Sequence, residues 1–225
     1  FNHQLARLKF FVRAGSESAA GYKYEGSNWV ERKSTDGQDK TLGMQVTKIT
    51  LKDMVNVVDM DLATTTSARN GASTAPFVVC SKDADNKNKL DPDKGLITPV
   101  VPKYPYGHEN IPAEGDPDAK GTQVGEPVMF FPNGNISLSI DLKQYVEDTK
   151  DETDGDKITY KEVEKLDTPL IIDQSKISKD VKEFKAGASY NVYITIYGFE
   201  KIEVTAVLTA WEDGGDIETD IEDGK

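Results

Sequence analysis

The sequence predicts an all-β chain, a β-sandwich with long loop insertions and little helix. Three observations carry this: an alternating first segment, a middle third crowded with proline, and two alternating segments near the end joined by a short turn. In the first segment Leu8, Phe10 and Val12 fall on one face while Arg7, Lys9, Phe11 and Arg13 fall on the other. Period two with aromatic and β-branched residues is the mark of a half-buried strand, ended here near Gly15.

Residues 16–40 are polar, with Tyr22, Tyr24 and Trp29 available to pin a hairpin or ordered loop. In Met44-Gln45-Val46-Thr47-Lys48-Ile49-Thr50-Leu51, Met44 and Val46 share a face with Ile49 and Leu51 only after a one-residue slip, which places a bulge or boundary near Thr47. Short strands are expected over 55–62 and 77–80, followed by a polar, turn-rich loop over 81–95. Between 96 and 132 prolines stand at 99, 102, 105, 112, 117, 127 and 132. That density excludes helix and central strand, leaving edge strand, loop and meander laid over a core. The loop-rich insertion is thus placed at about 81–132.

Alternation resumes at Ile136, Leu138, Ile140 and Leu142, all inward, and a very polar connection follows over 147–157. Ile158-Thr159-Tyr160 begins a short pairing segment, and 176–185 holds at most one or two helical turns, the only helix expected. Then Tyr190, Val192, Ile194 and Ile196 alternate with Asn191, Tyr193, Thr195 and Tyr197. After Gly198-Phe199-Glu200, Ile202, Val204, Ala206 and Leu208 alternate with Glu203, Thr205, Val207 and Thr209. Two such segments on a short glycine-containing loop form an antiparallel hairpin with one face in the core. Trp211 ends the ladder, and 212–225 is an acidic tail.

Composition limits the function. Of 225 residues, 37% are hydrophobic, enough for a substantial core, and 39 acids against 27 bases give a net charge of −12. Such a chain repels phosphate backbones and anionic membrane surfaces, so no nucleic-acid partner is expected. No apolar run is long enough to span a bilayer. Cys80 is the single cysteine, flanked by strand-like apolar residues, so it reads as a buried thiol and no internal disulfide is available. The first residue already lies in strand-like sequence and is not Met, so the parent chain is expected to extend upstream, with any targeting signal there.

Catalytic and metal signatures are weak. His3 and His108 are the only histidines, and there is no GxSxG, P-loop, GxGxxG or HExxH. No enzyme activity and no cofactor are expected. Weak metal candidates are Asp83, Asp85 and Asp91 in one loop and Asp151, Asp154 and Asp156 in another. In the first, Lys87 occupies the third slot of an Asp-x-Asp-x-Asp pattern, with no closing glutamate at the proper offset. Acidic loops also simply face water. Candidate contacts for a ligand or protein are Trp29, Tyr104 and Tyr106, in polar or proline-rich segments, and Tyr193 and Tyr197 on the outward face of their strand. The loop aromatics suit sugar stacking or loop anchoring. The Tyr193/Tyr197 pair suits cross-strand packing or a contact with a neighbouring domain.

Both ends of the chain carry a resemblance. Phe1-x-His3-x-Leu5-Ala6-Arg7-Leu8-x-Phe10, Val46-Thr47-x-Ile49-Thr50-Leu51, Ala186-Gly187-x-Ser189-Tyr190-x-Val192-x-Ile194-x-Ile196 and Ile202-x-Val204-x-Ala206-x-Leu208-x-x-Trp211 together resemble the fimbrillin family, pilus subunits of Bacteroidales. The resemblance leaves about 60–175 unanchored. It implies a transthyretin-like antiparallel β-sandwich of Greek-key type, forming a single C-terminal domain over 1–225 with the N-terminal domain absent. It further implies a lipoprotein precursor exported to the outer membrane and matured by an arginine-specific protease. Its partners would be other fimbrial subunits, in a homo- or hetero-polymer joined by donated strands, and its own N-terminal domain. Cys80 does not match the lipidation position. The alternative role is a tip or surface adhesin that binds host protein or glycan.

Overall fold

The structure, a computed structural model, describes residues 5–55, 58–61, 66–69, 74–81, 105–109, 121–132, 134–151, 157–177 and 182–209. Twelve strands and one short helix are formed in these residues: β1 (Ala6–Ala14), α1 (Glu17–Ala20), β2 (Tyr22–Glu25), β3 (Asn28–Glu31), β4 (Gln45–Val55), β5 (Val58–Asp61), β6 (Thr66–Arg69), β7 (Thr74–Ser81), β8 (Thr122–Phe130), β9 (Ile136–Asp151), β10 (Lys157–Ile172), β11 (Ser189–Gly198) and β12 (Lys201–Thr209). One four-stranded sheet runs β12-β11-β1-β8 and a second runs β10-β9-β4-β7, with β2-β3 and β5-β6 as separate two-stranded pairs.

The two large sheets enclose one apolar core. Leu8, Phe10, Val12, Val192, Ile194 and Ile196 face it from the first sheet, and Ile49, Leu51, Leu138, Ile140 and Leu142 from the second. Every second residue of β1 from Ala6 to Ala14 is buried, as the alternation requires. The sandwich closes at its sides, where β7 approaches β8 and β10 approaches β12.

The slip expected at Thr47 is a bulge. Val46 pairs with Leu142 and Lys48 with Asp141, so Thr47 is the extra residue, and both apolar pairs reach the core. The final hairpin also forms as expected, with Tyr190 opposite Leu208 and Ile196 opposite Ile202.

Other expectations need correction. The sandwich is not wholly antiparallel: β1 pairs with β11 in parallel, Leu8 opposite Tyr190 and Val12 opposite Ile194. A parallel pair needs no adjoining turn, so nothing local announced this one, formed across some 182 residues. Residues 122–130 are not laid over the core. They form β8, an edge strand consistent with Pro127, and Val124, Val128 and Phe130 are buried. The polar stretch after Leu142 continues β9 to Asp151, and the short segment at Ile158 is a 16-residue strand. Edge position explains why β10 reads as polar: Leu166 and Ile171 are exposed, and charged residues line much of its length. Over 176–185 the described residues hold no α-helix, only the end of a 3-10 turn at Gln174–Lys176; residues 178–181 lie outside them. The helix instead follows β1, where the Ser16 hydroxyl accepts from the Ala19 N–H and Gly21 closes the turn.

Cys80 is fully buried, and burial pushes its thiol up to about 12. Thiolate is the reactive form, so Cys80 is expected to stay unlabelled by a disulfide reagent at pH 8 and to react fully in denaturant. Rapid labelling of the native protein would contradict its core position.

Candidate functional site

The outer face of the β12-β11-β1-β8 sheet carries an aromatic and cationic surface. Because β1 and β11 run in parallel, Phe11 lies opposite Tyr193 and Arg13 opposite Thr195. The Phe11 and Tyr193 rings stack at 5.3 Å, and Arg13 Nε donates to Thr195 Oγ1 at 2.8 Å. That bond fixes the guanidinium between two rings, 3.3 Å from the Tyr106 centroid and 4.7 Å from that of Tyr193. Burial lowers the Arg13 pKa from its ordinary value, opposed by the neighbouring tyrosines, and the group stays cationic.

Tyr197 extends the surface. Its ring lies where a side chain at Gly15 would stand, so the glycine that follows β1 makes room for it. The hydroxyl donates to Glu203 at 3.1 Å, and Lys201 Nζ sits 4.0 Å from the ring centroid. Burial, then Glu203, raises the Tyr197 pKa, while the hydrogen bond from Lys201, above all, lowers that of Glu203.

The segment 105–109 joins this surface to the β2-β3 hairpin. Tyr106 N–H donates to the Ala14 carbonyl at 2.8 Å, anchoring the turn at the end of β1. Two residues on, His108 meets Trp29 edge-on at 4.8 Å and Tyr24 at 5.9 Å, with Glu17 Oε1 3.7 Å from its Nε2. Tyr24 and Trp29 are themselves 5.2 Å apart across the hairpin, and Glu17 also accepts from the Tyr24 N–H. The result is a rim of Trp29, Tyr24 and His108 continuous through the turn with Tyr106, Arg13 and Tyr193. Tyr106 is 48% exposed, whereas the other rings are partly covered.

Of the residues singled out in the sequence, Trp29, Tyr106, Tyr193 and Tyr197 thus belong to one surface. Tyr104, Asp83, Asp85, Asp91, Asp154 and Asp156 lie outside the described residues, and Asp151 is the last residue of β9. Among the described residues no group of three or more His, Cys, Asp or Glu is placed to hold a metal, and no helix is long and apolar enough to cross a membrane. Sequence reasoning missed Arg13, Phe11 and His108. The alternation did put Phe11 and Arg13 on the outer face, but their partners on β11 are distant in sequence.

No family model matches the chain, and no curated protein matches it. Among solved structures, a candidate cell-adhesion protein from Bacteroides uniformis ATCC 8492 aligns with a TM-score of 0.42 at 12% identity, over 94% of this chain and 52% of that one. The chain therefore spans about half the length of that protein.

Proposed function

We propose that this chain is a non-catalytic structural domain of a cell-surface fimbria, a transthyretin-like Greek-key sandwich that joins its neighbours by β-strand addition. In this reading it is the C-terminal domain of a fimbrillin-like subunit exported as a lipoprotein, as the residue patterns at its two ends imply. The observation that carries it is the edge strand β12. Its partner β11 buries Tyr190, Val192, Ile194 and Ile196 completely; opposite them Ala206 is also buried, but Ile202 and Val204 are only partly covered and Leu208 is 44% exposed. On the outer face Val207 is 45% exposed. Among the described residues no strand pairs with the far side of β12, leaving a row of backbone donors and acceptors beside an incompletely covered core edge. An added strand would satisfy both at once.

Lysine on an edge strand blocks such pairing. In the full-length subunit the double substitution V207K/L208K is expected to abolish fibre formation, seen by electron microscopy and sedimentation, with the far-UV spectrum of the domain unchanged. Fibres forming at the unsubstituted rate would refute β12 as the acceptor edge.

The aromatic and cationic surface supports a second reading, an adhesin that contacts host protein or glycan. Tyr106 presents an exposed amphipathic ring beside a fixed guanidinium, a combination enriched at contact surfaces. Binding on a glycan or host-protein array that Y106A removes would favour it over a purely structural role.

A further inference from the structure

The chain continues past Thr209, and residues 210–225 lie outside the described residues. Their sequence carries an alternation of its own: Asp216, Glu218, Asp220 and Glu222 fall on one side of an extended segment, Ile217, Thr219 and Ile221 on the other. Gly214-Gly215 precedes it, and the link over 210–215 is close to the length of a hairpin loop, with glycine where the chain must reverse. The strand such a reversal meets is β12, which among the described residues pairs only with β11.

The inward side chains of β12 select one register for it. With Ile217 opposite Leu208, Ile221 falls opposite Val204 and the small Thr219 opposite Ala206. The two isoleucines then lie over the two poorly covered residues, and Thr219 over the one that is already buried. A slip of one residue would turn four acids toward the core. In the chosen register the acids point outward; Glu222 meets Glu203, a like-charge pair offset by Lys201 at 3.1 Å from Glu203. Asp223 comes to face inward beside Ile202, where an acid has a partner. Lys165 of β10 pairs with the buried Leu142, so its side chain also points between the sheets, and its Nζ donates to the Phe199 carbonyl at 2.8 Å and to Glu200 at 3.3 Å, just ahead of Ile202. An ammonium has three donors, and the Glu200 side chain is 92% exposed, so a carboxylate arriving at Ile202 meets a cation able to receive it.

We propose that residues 216–223 seat on the β12 edge of their own molecule as an added antiparallel strand, Ile217 and Ile221 covering the core edge and Asp223 meeting Lys165. The occupant is this chain rather than a second copy because a short link holds it at an effective concentration on the order of millimolar. The added strand satisfies the backbone groups along β12 and closes that edge to other chains. Resting on the function proposed above, this makes the segment a regulator of assembly: a neighbour's strand must displace it before joining β12.

The test uses the whole chain in dilute solution, where Cys80 stays buried and takes no part. Mild oxidation of L208C/I217C is expected to form a disulfide within one molecule, since directly paired residues of antiparallel strands have Cα atoms about 4.5–5.5 Å apart. V207C/I217C, one residue out of register, should oxidise about tenfold more slowly. Hydrogen exchange gives a readout that needs no new cysteine: I217S/I221S should speed exchange of the β12 amides about tenfold and leave those of β1 unchanged. D223K should speed it about threefold, and K165E/D223K should restore protection, as a direct contact requires. Three results would overturn the assignment: disulfides that join two copies, equal oxidation of the two cysteine pairs, or exchange of β12 indifferent to I217S/I221S. In the full-length subunit I217S/I221S should also quicken fibre formation. Loss of β12 protection with fibres forming at an unchanged rate would leave the seated strand in place and remove β12 as the acceptor edge.

Discussion

Replacing Phe10 with alanine is expected to remove about 3–5 kcal/mol of unfolding free energy. Phe10 lies on β1, an interior strand of its sheet, opposite Val192 of β11 and Val124 of β8, and is 1% exposed. Both flanking partners are buried, so the lost ring leaves a cavity that neither neighbour can fill without breaking a strand pair. Since domains of this kind are stable by about 5–15 kcal/mol, the variant should sit near the edge of folding at room temperature. Phe11 supplies the control. One residue away it points outward and stacks on Tyr193, so F11A should cost only about 0.5–1.5 kcal/mol. Urea unfolding of the two variants checks this, and equal losses would mean that the faces of β1 are wrongly assigned.

Gly125→Ala is expected to cost about 2–5 kcal/mol, combining left-handed backbone strain with overpacking. Gly125 has φ of 66°, and an ideal Cβ there would lie 2.3 Å from the carbonyl oxygen of Val79 and 2.9 Å from its Cγ1. This is the place where β8 of one sheet meets β7 of the other, so relief requires the two sheets to part at that side. Gly26 separates the two contributions. Its φ is 53° but nothing lies within 4 Å of its Cβ position, so G26A should cost only about 1–2 kcal/mol. Similar thermal shifts for G125A and G26A would show that the close approach of β7 and β8 is not rigid.

The parts of the fold legible in the sequence are those where burial is decided by local alternation. β1, the first half of β9 and the β11-β12 hairpin each bury one face against the core, and their inward residues read off directly. Even the Thr47 bulge was legible, because a slip in an apolar pattern has no other economical explanation. What escaped was set by partners far away in sequence. Beyond Ile158-Thr159-Tyr160 the length of β10 was not legible because an edge strand need bury little, and β8 could not be told from loop or meander because the surrounding prolines obscured Val124, Val128 and Phe130. α1 escaped although Ser16 and Gly21 mark its two ends, since four residues carry no periodicity.

The candidate site divides in the same way. Trp29, Tyr106, Tyr193 and Tyr197 drew notice as aromatics in exposed or loop sequence, whereas Arg13 and His108 acquire meaning only once β11 lies beside β1 and the 105–109 turn is anchored to Ala14.

By itself, then, the sequence determined an all-β chain, the inward faces of its strongest strands and the buried state of Cys80, since transfer of apolar side chains from water acts on each alternating segment alone. The tertiary structure decided the parallel pairing of β1 with β11, the inclusion of β8 and the full length of β10 in the sheets, and the meeting of Arg13 with Tyr106. Those depend on backbone hydrogen bonds between segments up to 182 residues apart, which are chemically alike at every position and so leave no trace in the local pattern.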